Sequence, residues 1–163
     1  FELQEATVRT TILRSSETVS RSAEDNVYRF SYALFPHRGD WMQAQASRMS
    51  YDFNQPLIAR VVQQHGGSLP GQQSFVSVEP AGVVLSALKK AEDDESWIVR
   101  VQENHGANTI ALVTLPFAAA AVSEVNFLEW EEKPTNLTGA RLAIALKPWE
   151  IKTLKVKKNA PTQ

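Results

Sequence analysis

The sequence predicts an all-β fold of antiparallel sheets packed face to face as a β-sandwich, with one short helix. Three features carry this. Apolar and polar residues alternate along many short runs, the pattern of strands with one buried face. Turn-forming residues separate those runs without intervening helical segments, which favours hairpins over parallel crossovers. Helical spacing appears in only one stretch.

Taken in order, residues 7–13 give the first strand pattern, and residues 27–35 (VYRFSYALF) give the clearest one in the N-terminal half. There Tyr28, Phe30, Tyr32 and Leu34 share one face, while Arg29 and Ser31 share the other. Asp40-Trp41-Met42-Gln43 has the form of a capping box, an acidic N-cap with Gln three residues on. Met42, Ala46, Met49 and Phe53 follow at helical spacing, so a short helix is expected near residues 41–49. Strand patterns resume at residues 56–62, 82–88, 97–103, 109–115, 124–130, 140–147 and 149–156. The acidic turn Glu92-Asp93-Asp94-Glu95 and the turn Asn104-His105-Gly106-Ala107-Asn108 join three of them into a meander. In residues 140–147 (ARLAIALK), Leu142, Ile144 and Leu146 point together toward a core. The last run changes phase, with Trp149 and Ile151 in one and Leu154 and Val156 in the other. That change predicts a bulge near Lys152 and Thr153. The Gly- and Pro-rich segment 65–73 (HGGSLPGQQ) reads as a seam between two sub-parts, residues 1–73 and 74–163, and residues 157–163 read as a frayed tail.

Composition narrows the function. A hydrophobic share of 43% with 21% charged residues fits a packed core rather than a disordered segment. Seventeen basic residues balance 18 acidic ones, leaving none of the basic excess on which phosphate binding draws, so nucleic acid is not an expected partner. The longest apolar stretch, residues 110–122, contains Thr114 and Pro116 and is too short to span a bilayer, so no membrane is expected either. The absence of cysteine removes disulfides, thiolate metal sites and Cys nucleophiles, and favours a reducing, cytoplasmic setting. The chain opens on Phe1 without a basic-then-apolar leader, which predicts that it begins partway through a longer polypeptide.

No catalytic constellation can be selected. His37, His65 and His105 are far apart in sequence and form none of the close pairs typical of zinc ligands. The acidic run 92–95 lacks the alternating ligands and glycine of a calcium loop and reads as a solvated hairpin turn. Neither a G-x-S-x-G elbow nor a glycine-rich phosphate loop occurs. Trp97, Trp130 and Trp149 lie among apolar neighbours and are expected in the core. Trp41 differs, since it sits in a loop with His37, Arg38 and Asp40, the most function-like cluster in the chain. With Pro36 fixing its own φ and Gly39 permitting a tight bend, this loop should be well defined. It is a candidate domain-interface loop, with a turn held by local hydrogen bonds as the plainer alternative.

Several motifs together resemble the C-terminal region of glycoside hydrolase family 38, the α-mannosidases. They are residues 30–41 (FSYALFPHRGDW), Asn54-Gln55-Pro56-Leu57, and residues 74–80 (SFVSVEP), 83–93 (VVLSALKKAED), 98–103 (IVRVQE) and 146–156 (LKPWEIKTLKV). They follow the family's order from about Thr11 to Val156 and look most similar to bacterial and cytosolic members. The resemblance implies a retaining glycosidase that removes terminal α-mannosyl residues through an Asp nucleophile, a second carboxylate and a divalent cation, commonly zinc. It places those groups in an N-terminal catalytic domain outside this chain, so no catalytic, cofactor-binding or metal residue is assigned here. Residues 1–73 would be the end of a β super-sandwich and residues 74–163 a small terminal β-sandwich. The implied partners are the catalytic domain of the same polypeptide and mannose-containing glycans, with homo-oligomerisation open. The competing reading is an autonomous carbohydrate-binding module of a glycan-processing enzyme, which would show an exposed aromatic platform.

Overall fold

The computed structural model describes residues 2–4, 7–12 and 27–159. They divide into two compact units, Phe1–Pro36 and His37–Gln163. In the first, β1 (Glu2–Gln4) and β2 (Thr7–Arg9) form an antiparallel pair with Leu3 opposite Val8. The second holds helix α1 (Ala46–Asn54) and strands β3 (Ser77–Glu79), β4 (Val83–Lys90), β5 (Trp97–Glu103), β6 (Thr109–Val125), β7 (Lys133–Pro134), β8 (Gly139–Leu146) and β9 (Ile151–Lys158). No helix among the described residues is long and apolar enough to cross a membrane.

All seven strands of the second unit pair antiparallel, in the order β3-β6-β9-β5-β4, with β7 and β8 also on β6. The 17-residue β6 organises them. Its first half, Thr109 to Thr114, pairs with β8 and β3. Its second half, from Ala119, pairs with β9 and β7. Between the halves the register shifts, around Pro116, which has no N–H to give to a ladder. Ala111, Val113 and Leu115 from the first half join Val122 from the second in a single buried cluster with Val99, Val101, Leu142, Ile144, Leu154 and Val156. One strand thus serves both layers of a two-layer sandwich, turning the corner by irregularity as sheet-switching strands do.

Phase readings hold where both a face and a neighbour exist. Leu142, Ile144 and Leu146 are buried while Arg141, Ala143 and Ala145 are exposed, and β5 matches its expected run end to end. Elsewhere the structure corrects the reading. Residues 27–35 are not a strand. Tyr28 and Phe30 do share a side, their rings stacked at 6.4 Å, but alternation supplies a face and not the second strand that a ladder requires. Residues 56–62 are likewise irregular, with Leu57 and Val61 fully exposed. The first run is reduced to Thr7–Arg9, and Leu13 lies outside the described residues. The run at 124–130 splits, because β6 ends at Val125 and Asn126 then caps a turn. Its Oδ1 accepts the N–H groups of Leu128 and Trp130, while Glu129 takes φ 67°.

The helix starts later than its capping box suggests. Asp40 Oδ1 accepts the Gln43 N–H at 2.7 Å, and Gln43 Oε1 faces the Asp40 N–H at 3.4 Å. The box is therefore present, but Gln45 takes φ 52° and confines it to a turn, so α1 proper starts at Ala46. The bulge expected near Lys152 is absent, since β9 keeps unbroken register with β5 from Ile151 to Val156. The phase change has another origin. Leu154 and Val156 face the core, whereas Thr153 and Lys155 on the opposite face are buried by polar partners. Lys155 Nζ pairs with Glu132 at 2.8 Å and Asp94 at 3.3 Å, and Thr153 Oγ1 accepts from Arg100 Nε at 2.9 Å. Of the tail, β9 reaches Lys158 and the last residues lie outside the described set.

Charge pairs join the β4–β5 turn to the segment after β6. Glu129 accepts from Lys89 Nζ at 2.7 Å and from the Glu92 N–H at 3.0 Å; the lysine's hydrogen bond, foremost, holds its carboxyl below the usual range. Asp94 is lowered to about 2, first by hydrogen bonding from Ser96 and then by Lys155. The acidic run is thus anchored rather than merely solvated. Ile144, 2% exposed, tests the packing: Ile144→Ala should cost about 2–5 kcal/mol in urea unfolding of the chain, and a loss below about 1 kcal/mol would place it at the surface.

Candidate functional site

The most chemically organised place in the second unit begins at a buried carboxylate. Glu103 ends β5 and is 1% exposed. Its Oε2 accepts the backbone N–H groups of Gly106 at 2.7 Å, Trp149 at 3.0 Å and Ala107 at 3.3 Å, and its Oε1 accepts that of His105 at 2.8 Å. Burial alone would raise its pKa, but these four donors outweigh it and hold the carboxyl below its ordinary value. One side chain thereby fixes both the loop after β5 and the turn between β8 and β9.

That turn presents Trp149 in a left-handed conformation, φ 62°. Lys147 N–H donates to Glu150 Oε2 at 2.7 Å, closing the turn, and the Glu150 carbonyl accepts from the Glu103 N–H at 2.9 Å. The indole rests on Gly106, itself at φ 72°, where a Cβ would lie 2.7 Å from Cζ2 of Trp149. Trp41 completes the group. Its ring stacks on Trp149 with centroids 6.2 Å apart and planes 20° off parallel, and it meets the His105 ring edge-on at 5.8 Å, arrangements that aromatic rings favour.

A cleft of about 300 Å³ opens beside this pair, lined by Trp41, Ser47, Ser50, Tyr51, Gln102, Asn104 and Trp149. Helix geometry puts Ser47, Ser50 and Tyr51 on one face of α1, while Gln102 near the end of β5 and Asn104 just after it line the other side. Tyr51 Oη donates to Gln102 Oε1 at 3.4 Å across the cleft.

Of the loop singled out in the sequence, Asp40 caps its turn and Trp41 enters the aromatic group. His37 Nδ1 lies 3.5 Å from the Arg38 carbonyl oxygen, and Arg38 is exposed. His65 sits apart on its own segment, beside the Gly66 carbonyl. Two tryptophans contradict the expected burial. Trp149 is 58% exposed and Trp130 is 62% exposed, leaving only Trp97 packed against the core. The reason is shared, since each follows or occupies a turn whose backbone turns left-handed at Glu129, Glu131 or Trp149 itself. Sequence reading missed Glu103 altogether, although an acidic residue just before a Gly-containing turn is a recognisable acceptor for turn N–H groups.

These features define an antiparallel β-sandwich domain whose most organised site, among the described residues, is aromatic and amide-lined. Residues 82–154, from the foot of β4 into β9, match the glycosyl hydrolases family 38 C-terminal beta sandwich domain. It is similar to alpha-mannosidase G of Dictyostelium discoideum, 27% identical over 148 residues, covering 88% of this chain and 14% of that protein. Alpha-mannosidase 2C1 of Homo sapiens is 26% identical over 148 residues with the same coverage. An alpha-mannosidase of Saccharomyces cerevisiae is 23% identical over 171 residues, 91% of this chain and 16% of its own length. The chain thus spans about one seventh of the length of the first curated relatives it matches. These relatives are eukaryotic, so they lend no support to a bacterial type.

Glu103 gives this site a pH signature. Because its pKa is lowered by folding, its stabilisation is complete above the ordinary carboxylate range and is lost as pH falls through the folded value. Glu103→Gln should cost about 2 kcal/mol at neutral pH, the scale of hydrogen bonds to a charged group. The gap between the two proteins in urea unfolding should narrow on acidification; a gap constant from pH 7 to about pH 3 would contradict the assignment.

Proposed function

We propose that this chain is the non-catalytic C-terminal β domain of an α-mannosidase, framing and steadying a catalytic domain in the same polypeptide. The observation that carries the reading is the match of residues 82–154 to the C-terminal domain, set within alignments that cover 88% of this chain but 14% of each α-mannosidase. In this scheme the parent enzyme hydrolyses terminal α-mannosyl residues with retention, and its carboxylates and divalent cation, zinc by preference, belong to the catalytic domain. Residues here do not fit that cation: among the described residues no three of His, Cys, Asp and Glu gather.

Residues 1–73 would close a larger β super-sandwich and residues 74–163 form the terminal one. The strand-like but irregular segments 27–35 and 56–62 support this division, because their exposed apolar side chains would find ladder neighbours in the parent's sheets. A cytoplasmic setting for the parent is supported by the cysteine-free sequence.

The turn carrying His37, Arg38, Asp40 and Trp41 is the proposed contact with the catalytic domain. Asp40 and Trp41 hold it from within the second unit, and the exposed guanidinium of Arg38 suits a carboxylate or backbone carbonyls there. Arg38→Ala in the full-length enzyme should lower turnover of an aryl α-mannoside roughly tenfold or more, while the isolated chain keeps its melting temperature. Unchanged activity and stability of the full-length variant would reduce the loop to a turn. The pure 163-residue chain should hydrolyse no aryl α-mannoside; turnover that a chelator abolishes would refute the non-catalytic assignment.

A further inference from the structure

Five clefts on the second unit differ in chemistry. One combines Lys90, Asp94, Glu95, Lys157 and Lys158; another Glu124, Lys147, Glu150 and Lys152; a third includes Arg48 and Asp52. A fourth, around Phe75, Trp97 and Phe117, is wholly apolar. The cleft beside the stacked Trp41 and Trp149 alone among them joins aromatic surface to neutral polar groups and has no ionised side chain in its lining.

We infer that this cleft is a binding site for a neutral pyranose ring. A pyranose presents a C–H face, which packs on an aromatic ring, and an edge of hydroxyls, each both donor and acceptor. The stacked Trp41–Trp149 pair offers indole surface at the wall of the cleft, with Trp149 58% exposed and held by Glu103 and Gly106. The hydroxyls of Ser47, Ser50 and Tyr51 and the amides of Gln102 and Asn104 supply donors and acceptors in a volume of about 300 Å³, enough for a single ring with its edge engaged. Helix α1 sets the hydroxyls, and the amides sit at the end of β5 and on the residue that follows it. The Tyr51–Gln102 hydrogen bond at 3.4 Å is long enough to yield to a ligand hydroxyl. With no cation in the lining, a sugar phosphate should gain nothing over the neutral glycoside.

The inference is independent of whether the parent cleaves mannosides, so its test uses no turnover. The probes are methyl α-mannopyranoside and methyl α-glucopyranoside, followed by saturation-transfer NMR and tryptophan fluorescence. The wild-type chain should bind at least one, weakly and saturably. Trp149→Ala should weaken binding about tenfold or more, whereas Trp149→Phe, which keeps an aromatic face, should retain most of it. Trp130→Ala should bind like wild type, since Trp130 is equally exposed and outside the cleft. Melting curves show which variants are folded; if Trp149→Ala is not, Gln102→Leu, which removes one amide, takes its place with the same expected direction. Absence of saturable binding, equal binding by the folded cleft variant, or preference for mannose 6-phosphate would each overturn the proposal. So would binding by the chain that vanishes in the full-length polypeptide with its catalytic site blocked, which would make the cleft a packing surface between domains.

Discussion

The Glu103 carboxylate is the constraint around which the described sandwich end is organised. It lies where a strand stops and the backbone would otherwise leave a row of N–H groups without acceptors, a loss costing about 1–3 kcal/mol for each buried group. One anion accepts four of them, from a loop next to it in sequence and a turn 46 residues away. The long-range contact matters most. Through the Trp149 N–H, the β8–β9 turn is locked to the end of β5, and the indole is carried into position against Gly106 and Trp41.

At the opposite end of β5 the same logic is carried out with cations. Lys89 and Lys155 each bridge acidic partners drawn from the β4–β5 turn and from the segment after β6. Arg100 adds a third tie, its guanidinium 4.5 Å from the Phe127 ring and its Nε bonded to Thr153. Lys155 is almost fully enclosed, and the hydrogen bond it donates to Glu132 raises its pKa against the effect of burial. Such pairs add little net stability when exposed, but a buried lysine with two carboxylates fixes which loop lies over which strand.

Much of the sandwich was legible because its signals were local and doubled. Ile144 and Leu146 alternate with Arg141 and Ala145 in a strand with a neighbour on β6, so pattern and pairing agree. Tyr28 and Phe30 show the limit: their alternation is as regular, yet no strand forms, because pairing depends on a neighbour that periodicity does not specify. The capping box at Asp40 was also legible, down to its hydrogen bond from Gln43. What stopped it from opening a helix was the left-handed backbone at Gln45, a conformation that nothing in that residue type announces. The aromatic site was half visible. Trp41 stood out by its polar neighbours, but its partner Trp149 reads as a core residue until the turn around it is known to hang from Glu103.

Strand β6 has one more implication. Its early residues leave the loop held by Glu103, and its final residues enter the turn capped by Asn126. Peptide bonds, rather than side-chain packing, therefore connect the aromatic end of the sandwich with its acidic end and run through both layers on the way. Trp149 meets this path through Glu103, whose carboxylate holds both its N–H and the loop that leads into the strand. In mechanical terms the two ends of the described sandwich are joined by one continuous strand as well as by packing.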